Sequence, residues 1–246
     1  MNVVKNLKWV TSKRYSKAFT LVEIAIVLVI VGIGLGGLLL TLTAQIDLRN
    51  YAATRQSMEE IKDALIGYSL SHGYLPCPAK SAIDGTEDRN TVSGDCNARA
   101  GFIPWQELGV IRNDSWNHLY RYSITNAYSD SVDKINLSPT TARDITIRTR
   151  NALGNFVNLS NANDIPAVII SHGKNGFGAT SVDGVLVADS SANNDDENTN
   201  AIGTTSFVSR EYSEVKNTTY SEYDDIVVWI SPNIYIAKLV SVGKLP

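Results

Sequence analysis

The hydrophobic pattern of the chain is dominated by one apolar stretch near its amino terminus. Residues 24–40 contain no charged or hydrogen-bonding side chain, and Glu23 is the one charged residue between Phe19 and Leu42. As a helix, these 24 residues would be about 36 Å long. That length is sufficient to cross a hydrocarbon core of about 30 Å, so the pattern predicts a transmembrane helix over 19–42.

The segment that follows predicts a continuation of this helix with a single apolar face. The residues of that face recur at spacings of seven, three, four and three: Tyr51, Met58, Ile61, Leu65 and Tyr68. Gly73 followed by Pro76 indicates where the helix ends. We therefore expect the amphipathic part, residues 43–72, to pack against a folded domain.

Beyond the helix, the pattern changes to short runs that predict strands. They are Asp144–Thr149, Ala167–Ser171 and Asp225–Ile230. A long helix followed by short strands indicates an α+β fold, with the helix packed on an antiparallel β-sheet. The polar residues 189–200 predict a mobile loop because they have little apolar surface to bury. Residues 234–245 predict a short amphipathic segment that closes the sheet.

The charges around the apolar stretch predict its orientation in a membrane. Five cations and no acid precede Phe19: Lys5, Lys8, Lys13, Arg14 and Lys17. By the positive-inside rule the amino terminus is cytoplasmic and the chain after Leu42 lies outside. Without those five cations, 17 lysines and arginines face 25 acids, for a net charge of −8. This balance gives no support to a nucleic-acid-binding function.

Cys77 and Cys96 both follow the apolar stretch and therefore lie in the predicted periplasmic part. An oxidising periplasm would allow them to form a disulfide. Closing a loop of this size would stabilise the fold by about 3 kcal/mol in the chain-entropy model. The alternative is a pair of unpaired or metal-binding thiols, for which the usual C-x-x-C spacing is missing.

Glu23 is the residue that a simple membrane anchor does not explain. A carboxylate at the centre of a membrane costs about 2.5–3.5 kcal/mol, and less near the interface. If the chain were cut after Ala18, the new amine of Phe19 would lie one helical turn away and could neutralise Glu23, in the same chain or in a neighbouring copy. A secretory signal peptide and a plain single-span anchor are the alternatives.

The run KAFTLVEIAIVLVIVG, from Lys17 to Gly32, resembles the prepilin signature of type IV pilins and type II secretion pseudopilins. The resemblance implies cleavage between Ala18 and Phe19 by a prepilin peptidase, followed by methylation of Phe19. It also implies that Glu23 pairs with the Phe19 amine of an adjacent subunit when an inner-membrane platform assembles the filament. The chain has Ala18 where the family usually has glycine.

With this resemblance the chain divides into four parts: a leader 1–18, a transmembrane and assembly helix 19–42, its continuation 43–72 and a periplasmic α+β domain 73–246. The expected function is that of a structural subunit without catalysis, in a type IV pilus or a type II secretion filament. The subunit would lie in the bacterial inner membrane before entering an envelope or surface filament. The competing hypothesis is a single-pass, membrane-tethered periplasmic binding module that does not polymerise.

Two separated segments, SHGKNGFG at 171–178 and DDIVVW at 224–229, look like the calcium-binding loop of the major pseudopilin of type II secretion. The resemblance implies Ca²⁺ held by Asp224, Asp225 and loop carbonyls, and such hard oxygen ligands suit that ion. In this chain 45 residues, Ala179–Tyr223, separate the two halves. The alternative is a β-turn and a strand with two solvated acids.

Serine, histidine and tryptophan residues supply further candidates. Ser171 beside a histidine would suggest a hydrolase, but no nucleophile elbow is present. The histidines in question are His72, His118 and His172. Trp105 and Trp116 predict packing between the helix and the sheet, with a carbohydrate or partner contact as the alternative.

Overall fold

A computed structural model of the chain describes residues 19–135, 143–161, 163–188, 195–214 and 221–245. For 35–42 and 195 it describes the backbone alone. The predicted leader 1–18, with Ala18, and positions 189–194 of the predicted loop lie outside the described residues. The chain divides into two units, Met1–Asp47 and Leu48–Pro246.

The first element, α1, is a helix of 52 residues from Leu21 to His72. It ends at Gly73, whose φ of +87° lies in the left-handed region and whose N–H donates to the carbonyl of Ser69 at 2.7 Å. Glycine adopts this conformation without a steric penalty, which is why it terminates helices so often. The two predicted helical segments, 19–42 and 43–72, thus form one continuous helix, except that residues 19 and 20 precede it.

Within the part of the chain that the structure describes, no helix combines the length and the apolar character needed to cross a membrane. The side chains of 35–42, the end of the predicted span, are not among those described.

Among the described residues, seven strands, three α-helices and one 3₁₀ helix (Asn126–Tyr128) follow α1. In chain order they are β1 (Ala100–Phe102), α2 (Trp105–Leu108), β2 (Arg121–Ile124), β3 (Thr146–Arg150), β4 (Phe156–Asn158), β5 (Ala167–Ser171), α3 (Asp195–Ile202), β6 (Ser206–Val208), β7 (Ile226–Trp229) and α4 (Pro232–Ser241). The α+β class predicted from the sequence is confirmed. The predicted strand 167–171 has the same bounds in the structure, and α4 occupies most of the predicted carboxy-terminal segment.

The strands form two sheets, and one of them differs from the prediction. Four strands in the order β1-β2-β5-β7 make an antiparallel sheet, as expected. In the second sheet β3 lies between β4 and β6, and it pairs with β6 in parallel. A parallel pair requires a long crossover. The chain provides one between Arg150 and Ser206, because β4, β5 and α3 intervene.

Strand β5 separates two apolar clusters, which is why it is buried along its whole length. Ala167 and Ile169 point to the cluster that contains the amphipathic part of α1, whereas Val168 and Ile170 point to a cluster with Phe207 of β6. Successive side chains of a strand point to opposite faces. A strand covered on both faces therefore has a continuous apolar sequence, as this one does.

The predicted face of α1 is only partly the buried one. Met58, Ile61 and Leu65 are fully buried, but Tyr51 is exposed. Thr54 and Ser69, which the apolar pattern omits, are fully buried instead. Each hydroxyl has a partner: Thr54 bonds to the Oγ of Ser115 at 3.0 Å, and Ser69 accepts from the hydroxyl of Tyr235 at 2.7 Å.

The prediction of a mobile loop over 189–200 was wrong for its second half, because residues 195–200 begin helix α3. The side chains of Asp196, Glu197 and Asn200 are buried in this helix although all three are polar. Each is hydrogen-bonded: Asp196 to two arginines, Glu197 to Asn175, and Asn200 to the backbone of Val208. Satisfied polar groups can be buried without a large penalty, and the apolar pattern does not register them.

Candidate functional site

The start of α1 has the geometry of a capped helix. The Oγ1 of Thr20 accepts a hydrogen bond from the backbone N–H of Glu23 at 3.2 Å, and the carbonyl of Thr20 accepts from Ile24 at 3.2 Å. Thr20 is therefore the N-cap, and Glu23 lies in the first turn. A threonine three residues before a glutamate forms the capping-box pattern, in which the acid also benefits from the positive end of the helix.

This capping role adds a residue to the predicted site. Thr20 was not among the candidate residues, although its spacing from Glu23 ahead of an apolar run is a readable signal of a helix start. Phe19 and Glu23 are both exposed at this end of the helix. Phe19 therefore lies immediately before the cap, where an amine released by cleavage after Ala18 would be located.

The first turns of α1 expose large apolar side chains on all sides. Leu21 is 87% exposed and Ile33 is 73% exposed, and most of the aliphatic residues between them are at least half exposed. An exposed apolar surface of this kind marks contact with lipid or with another protein. A helix that is apolar all round is stable when other apolar groups surround it.

Residues 13–39 match the family model described as Prokaryotic N-terminal methylation motif. These residues carry the type IV pilin and pseudopilin signature. The recognition made from the sequence is thereby confirmed, and the match includes Ala18, Phe19, Thr20 and Glu23. Searches of curated proteins and of solved structures gave no match.

Outside the pilin signature, Cys77 and Cys96 form a disulfide. Their Cα atoms lie 5.3 Å apart, and Cys77 is fully buried. The bond closes the loop that follows α1. Next to it, Glu87 accepts from the backbone N–H of Cys77 and pairs with Arg89, whose guanidinium also donates to the carbonyl of Leu75. The disulfide is thus part of a network that joins this loop to Leu75, three residues after the end of α1.

Removing this disulfide should destabilise the chain. For Cys77→Ala/Cys96→Ala we expect the free energy of unfolding to fall by about 3 kcal/mol, because the unfolded chain gains the entropy of an open loop. Urea unfolding of the full-length protein in detergent measures the change. Reduced wild-type protein is the control and should unfold at the same urea concentration as the double variant. Equal midpoints for oxidised and reduced wild-type protein would contradict the expectation.

A second cluster lies where α3 meets the start of β7. Glu197, Asp224 and Asp225 each place one carboxylate oxygen within 4.8 Å of the others. The backbone N–H of Asp224 donates to Oε1 of Glu197 at 2.8 Å. The N–H of Asn175, in the glycine-rich loop, donates to Oδ2 of Asp224 at 2.7 Å. The structure therefore brings the two predicted metal ligands together with a third acid, which the sequence did not indicate.

The surroundings of these acids disfavour their charges. Burial, followed by the charge of Asp225, raises the pKa of Glu197, and burial also raises the pKa of Asp224. Burial raises the pKa of Asp225 well above its usual range. Its nearest histidine does not compensate, because burial and the charge of Arg121 lower the pKa of His172 to about 4, so that this ring is neutral at pH 7.

Two oxygens of this cluster have no hydrogen-bond partner among the described residues, Oδ1 of Asp224 and Oδ1 of Asp225. The side chain of Asp225 is fully buried, and the Nδ1 of His172 lies 3.4 Å from its Oδ1 without forming a hydrogen bond. Unpaired buried oxygens are costly unless a proton or a cation satisfies them. Carboxylate oxygens are the ligands that Ca²⁺ prefers, so these residues fit that ion.

The glycine-rich loop approaches these acids closely. Gly173 has a φ of +59°, and a Cβ at this position would lie 2.4 Å from the carbonyl oxygen of Asp224. A larger residue would therefore be strained and would also collide with the acid segment. The glycine therefore allows the backbone of the loop to lie against Asp224.

The other candidate residues have structural contacts. The hydroxyl of Ser171 donates to Oδ2 of Asp114 at 2.6 Å, and His118 bonds to the carbonyl of Gly173 at 3.1 Å. His72 stacks on Tyr68, with ring centroids 3.9 Å apart. Trp105 is buried in the main core, and Trp116 packs against the same cluster, as the packing interpretation predicted.

Proposed function

We propose that the protein is a structural subunit of a type IV pilus or of a type II secretion filament. The observation that carries this proposal is the match of residues 13–39 to the methylation motif. In this proposal a prepilin peptidase cuts between Ala18 and Phe19, and Phe19 is methylated. Residues 19–42 hold the subunit in the bacterial inner membrane, with the domain after the helix in the periplasm, until an assembly platform transfers it to the filament.

The exposed apolar turns of α1 support this mechanism. In a filament, contact with the helices of other subunits would replace contact with lipid, and the apolar surface would stay covered in both states. A carboxylate enclosed by such helices costs several kcal/mol unless it is paired. Pairing of Glu23 with the Phe19 amine of a neighbouring subunit would therefore select one register of assembly.

We further propose that the subunit is a minor one and that it binds Ca²⁺. The insertion Ala179–Tyr223 favours a specialised rather than an abundant subunit. Asp224, Asp225 and carbonyls of the glycine-rich loop would hold the ion. When bound, it would supply positive charge to acids whose charges burial disfavours.

The sharpest test of the filament proposal is the mass of the amino-terminal peptide. Protein purified from cells with an active prepilin peptidase should begin at Phe19 and carry one methyl group on its amine. Protein from cells with an inactive peptidase is the control and should begin at Met1.

Each alternative predicts a different amino terminus. A mature chain beginning at Met1 in peptidase-positive cells would contradict the filament proposal and favour the tethered binding module. A chain that begins at Gln45, after the small residue at the end of Leu42-Thr43-Ala44, would indicate cleavage of a secretory signal peptide. The variant Ala18→Gly restores the residue usual in the family and should give the same methylated Phe19.

A further inference from the structure

We infer that Glu197 is a third ligand of the cation site, so that binding of Ca²⁺ fastens helix α3 to the start of β7. This inference rests on the calcium proposal above and not on the filament proposal. Its ligand set combines Glu197 from the insertion with Asp224 and Asp225, which are 27 and 28 positions further along the chain. The insertion Ala179–Tyr223 would then contribute a ligand to the cation site.

The position of Glu197 is the first reason. One of its oxygens lies within 4.8 Å of oxygens on both aspartates, a separation that one shared ion can bridge. Ca²⁺ binds carboxylate oxygens at about 2.3–2.6 Å, so two ligands of the same ion are at most about 5 Å apart. The three acids meet this condition without a rearrangement of the backbone.

The second reason is the buried oxygen of Asp225. Oδ2 of Asp225 accepts from the side-chain amide of Asn200 on α3 at 2.8 Å, whereas its Oδ1 is buried without a hydrogen-bond partner among the described residues. A cation between the acids would satisfy such an oxygen. The bond from Asn200 would then orient the ligand, as hydrogen bonds to metal-binding carboxylates commonly do.

The hydrogen bonds that position Glu197 are the third reason. Its Oε1 accepts from the backbone N–H of Asp224 at 2.8 Å, and its carboxylate accepts from the side-chain amide of Asn175 at 3.2 Å. These bonds hold the carboxylate beside the two aspartates, as hydrogen bonds to metal-binding carboxylates commonly do.

The packing of α3 on the glycine-rich loop determines what a bound cation would do to the structure. Besides these polar groups, Ala201 packs directly on Gly178 of the glycine-rich loop, where a Cβ would lie 2.3 Å from the Cβ of Ala201. The helix is therefore seated on the loop that contributes to the site. A cation shared by Glu197 of α3 and the two aspartates would add a direct link between this helix and the start of β7. Binding of Ca²⁺ would therefore hold α3 in place.

The variant Glu197→Gln tests the inference in full-length processed protein in detergent. For wild-type protein we expect calorimetry with CaCl₂ to show binding, Tm to rise with Ca²⁺, and amide exchange across 195–202 to slow. For the variant we expect an affinity lower by about ten-fold or more. We also expect no rise of Tm with Ca²⁺ and no slowing of exchange in α3.

The dependence of Tm on Ca²⁺ separates a ligand from a purely structural residue. In EDTA neither protein holds an ion, so a difference in Tm there measures only the hydrogen bonds that Glu197 accepts from Asn175 and Asp224. If Glu197 is a ligand, replacing EDTA by CaCl₂ should raise the Tm of wild-type protein and not that of the variant, and an equal rise in both would overturn the inference. Glu211→Gln removes an exposed acid from the same insertion and should behave as wild-type protein does.

The outcomes also distinguish failure of the role inferred for Glu197 from failure of the calcium proposal. Wild-type affinity in Glu197→Gln would overturn the role of Glu197 and leave calcium at Asp224 and Asp225. Absence of Ca²⁺ binding by wild-type protein would overturn both the calcium proposal and this inference. Neither result would change the methylated Phe19 expected from the filament proposal.

Discussion

Glu23→Ala is expected to leave membrane insertion intact and to lower incorporation into filaments by about ten-fold or more. Insertion should persist because removing a charge lowers the cost of placing the helix in lipid. Incorporation should fall because the amine of Phe19 loses its partner, and a loss of only 1.4 kcal/mol per contact is a factor of about ten in an equilibrium constant. Quantifying the subunit in sheared filament and membrane fractions measures both effects.

The structure supplies the matched control for this experiment. Thr20→Ala removes the hydroxyl that caps the helix at the same turn but keeps the Glu23 carboxylate. Loss of an N-cap costs about 1 kcal/mol of helix stability. If Glu23 acts only through the helix start, the two variants should lower incorporation equally. If it pairs with a neighbouring amine, Glu23→Ala should be far more damaging, and unchanged incorporation would contradict the proposed mechanism.

Asp196→Ala should strongly destabilise the folded domain, with a loss of about 3 kcal/mol in the free energy of unfolding. The carboxylate is almost fully buried and accepts from Arg150 and Arg210 at 2.7 to 2.9 Å. Removing one member of a buried ion pair leaves charge without its compensation. Urea unfolding followed by circular dichroism measures the change.

An exposed ion pair provides the comparison for that variant. Glu59 pairs with Lys62 one turn along α1, and the Glu59 side chain is 44% exposed. Such surface pairs contribute less than about 1 kcal/mol, because water and salt screen them. Glu59→Ala should therefore unfold close to wild-type protein. If Asp196→Ala did so as well, the buried cluster would have no role in holding α3.

The parts of the fold that follow from local rules were predictable. The helix begins after Thr20 and ends before Gly73, because capping and termination depend on residues within a turn of each end. Strand β5 was visible as an apolar run for a similar reason: because it is buried on both faces, its first four residues are all apolar, and its one polar residue, Ser171, is the last. The signature of 13–39 also depends only on residues in order.

The misses share a physical cause. Residues 195–200 contain too few apolar side chains to predict a packed helix, yet α3 forms because its polar side chains meet arginines, amides and backbone groups from distant segments. The parallel pairing of β3 with β6 depends likewise on a crossover of more than fifty residues. Neither α3 nor the β3–β6 pairing produces a periodic pattern in the sequence, because each depends on contacts between segments that are far apart along the chain.

For this protein, the sequence by itself determined the pilin signature, the long helix with its boundaries, the α+β class and two of the acids at the proposed calcium site. Those features depend on the order and spacing of neighbouring residues. The tertiary structure alone decided that Glu197 joins Asp224 and Asp225 and that a polar insertion forms a buried helix. Hydrogen bonds and charges between distant segments produce these features, and such contacts exist only once the chain is folded.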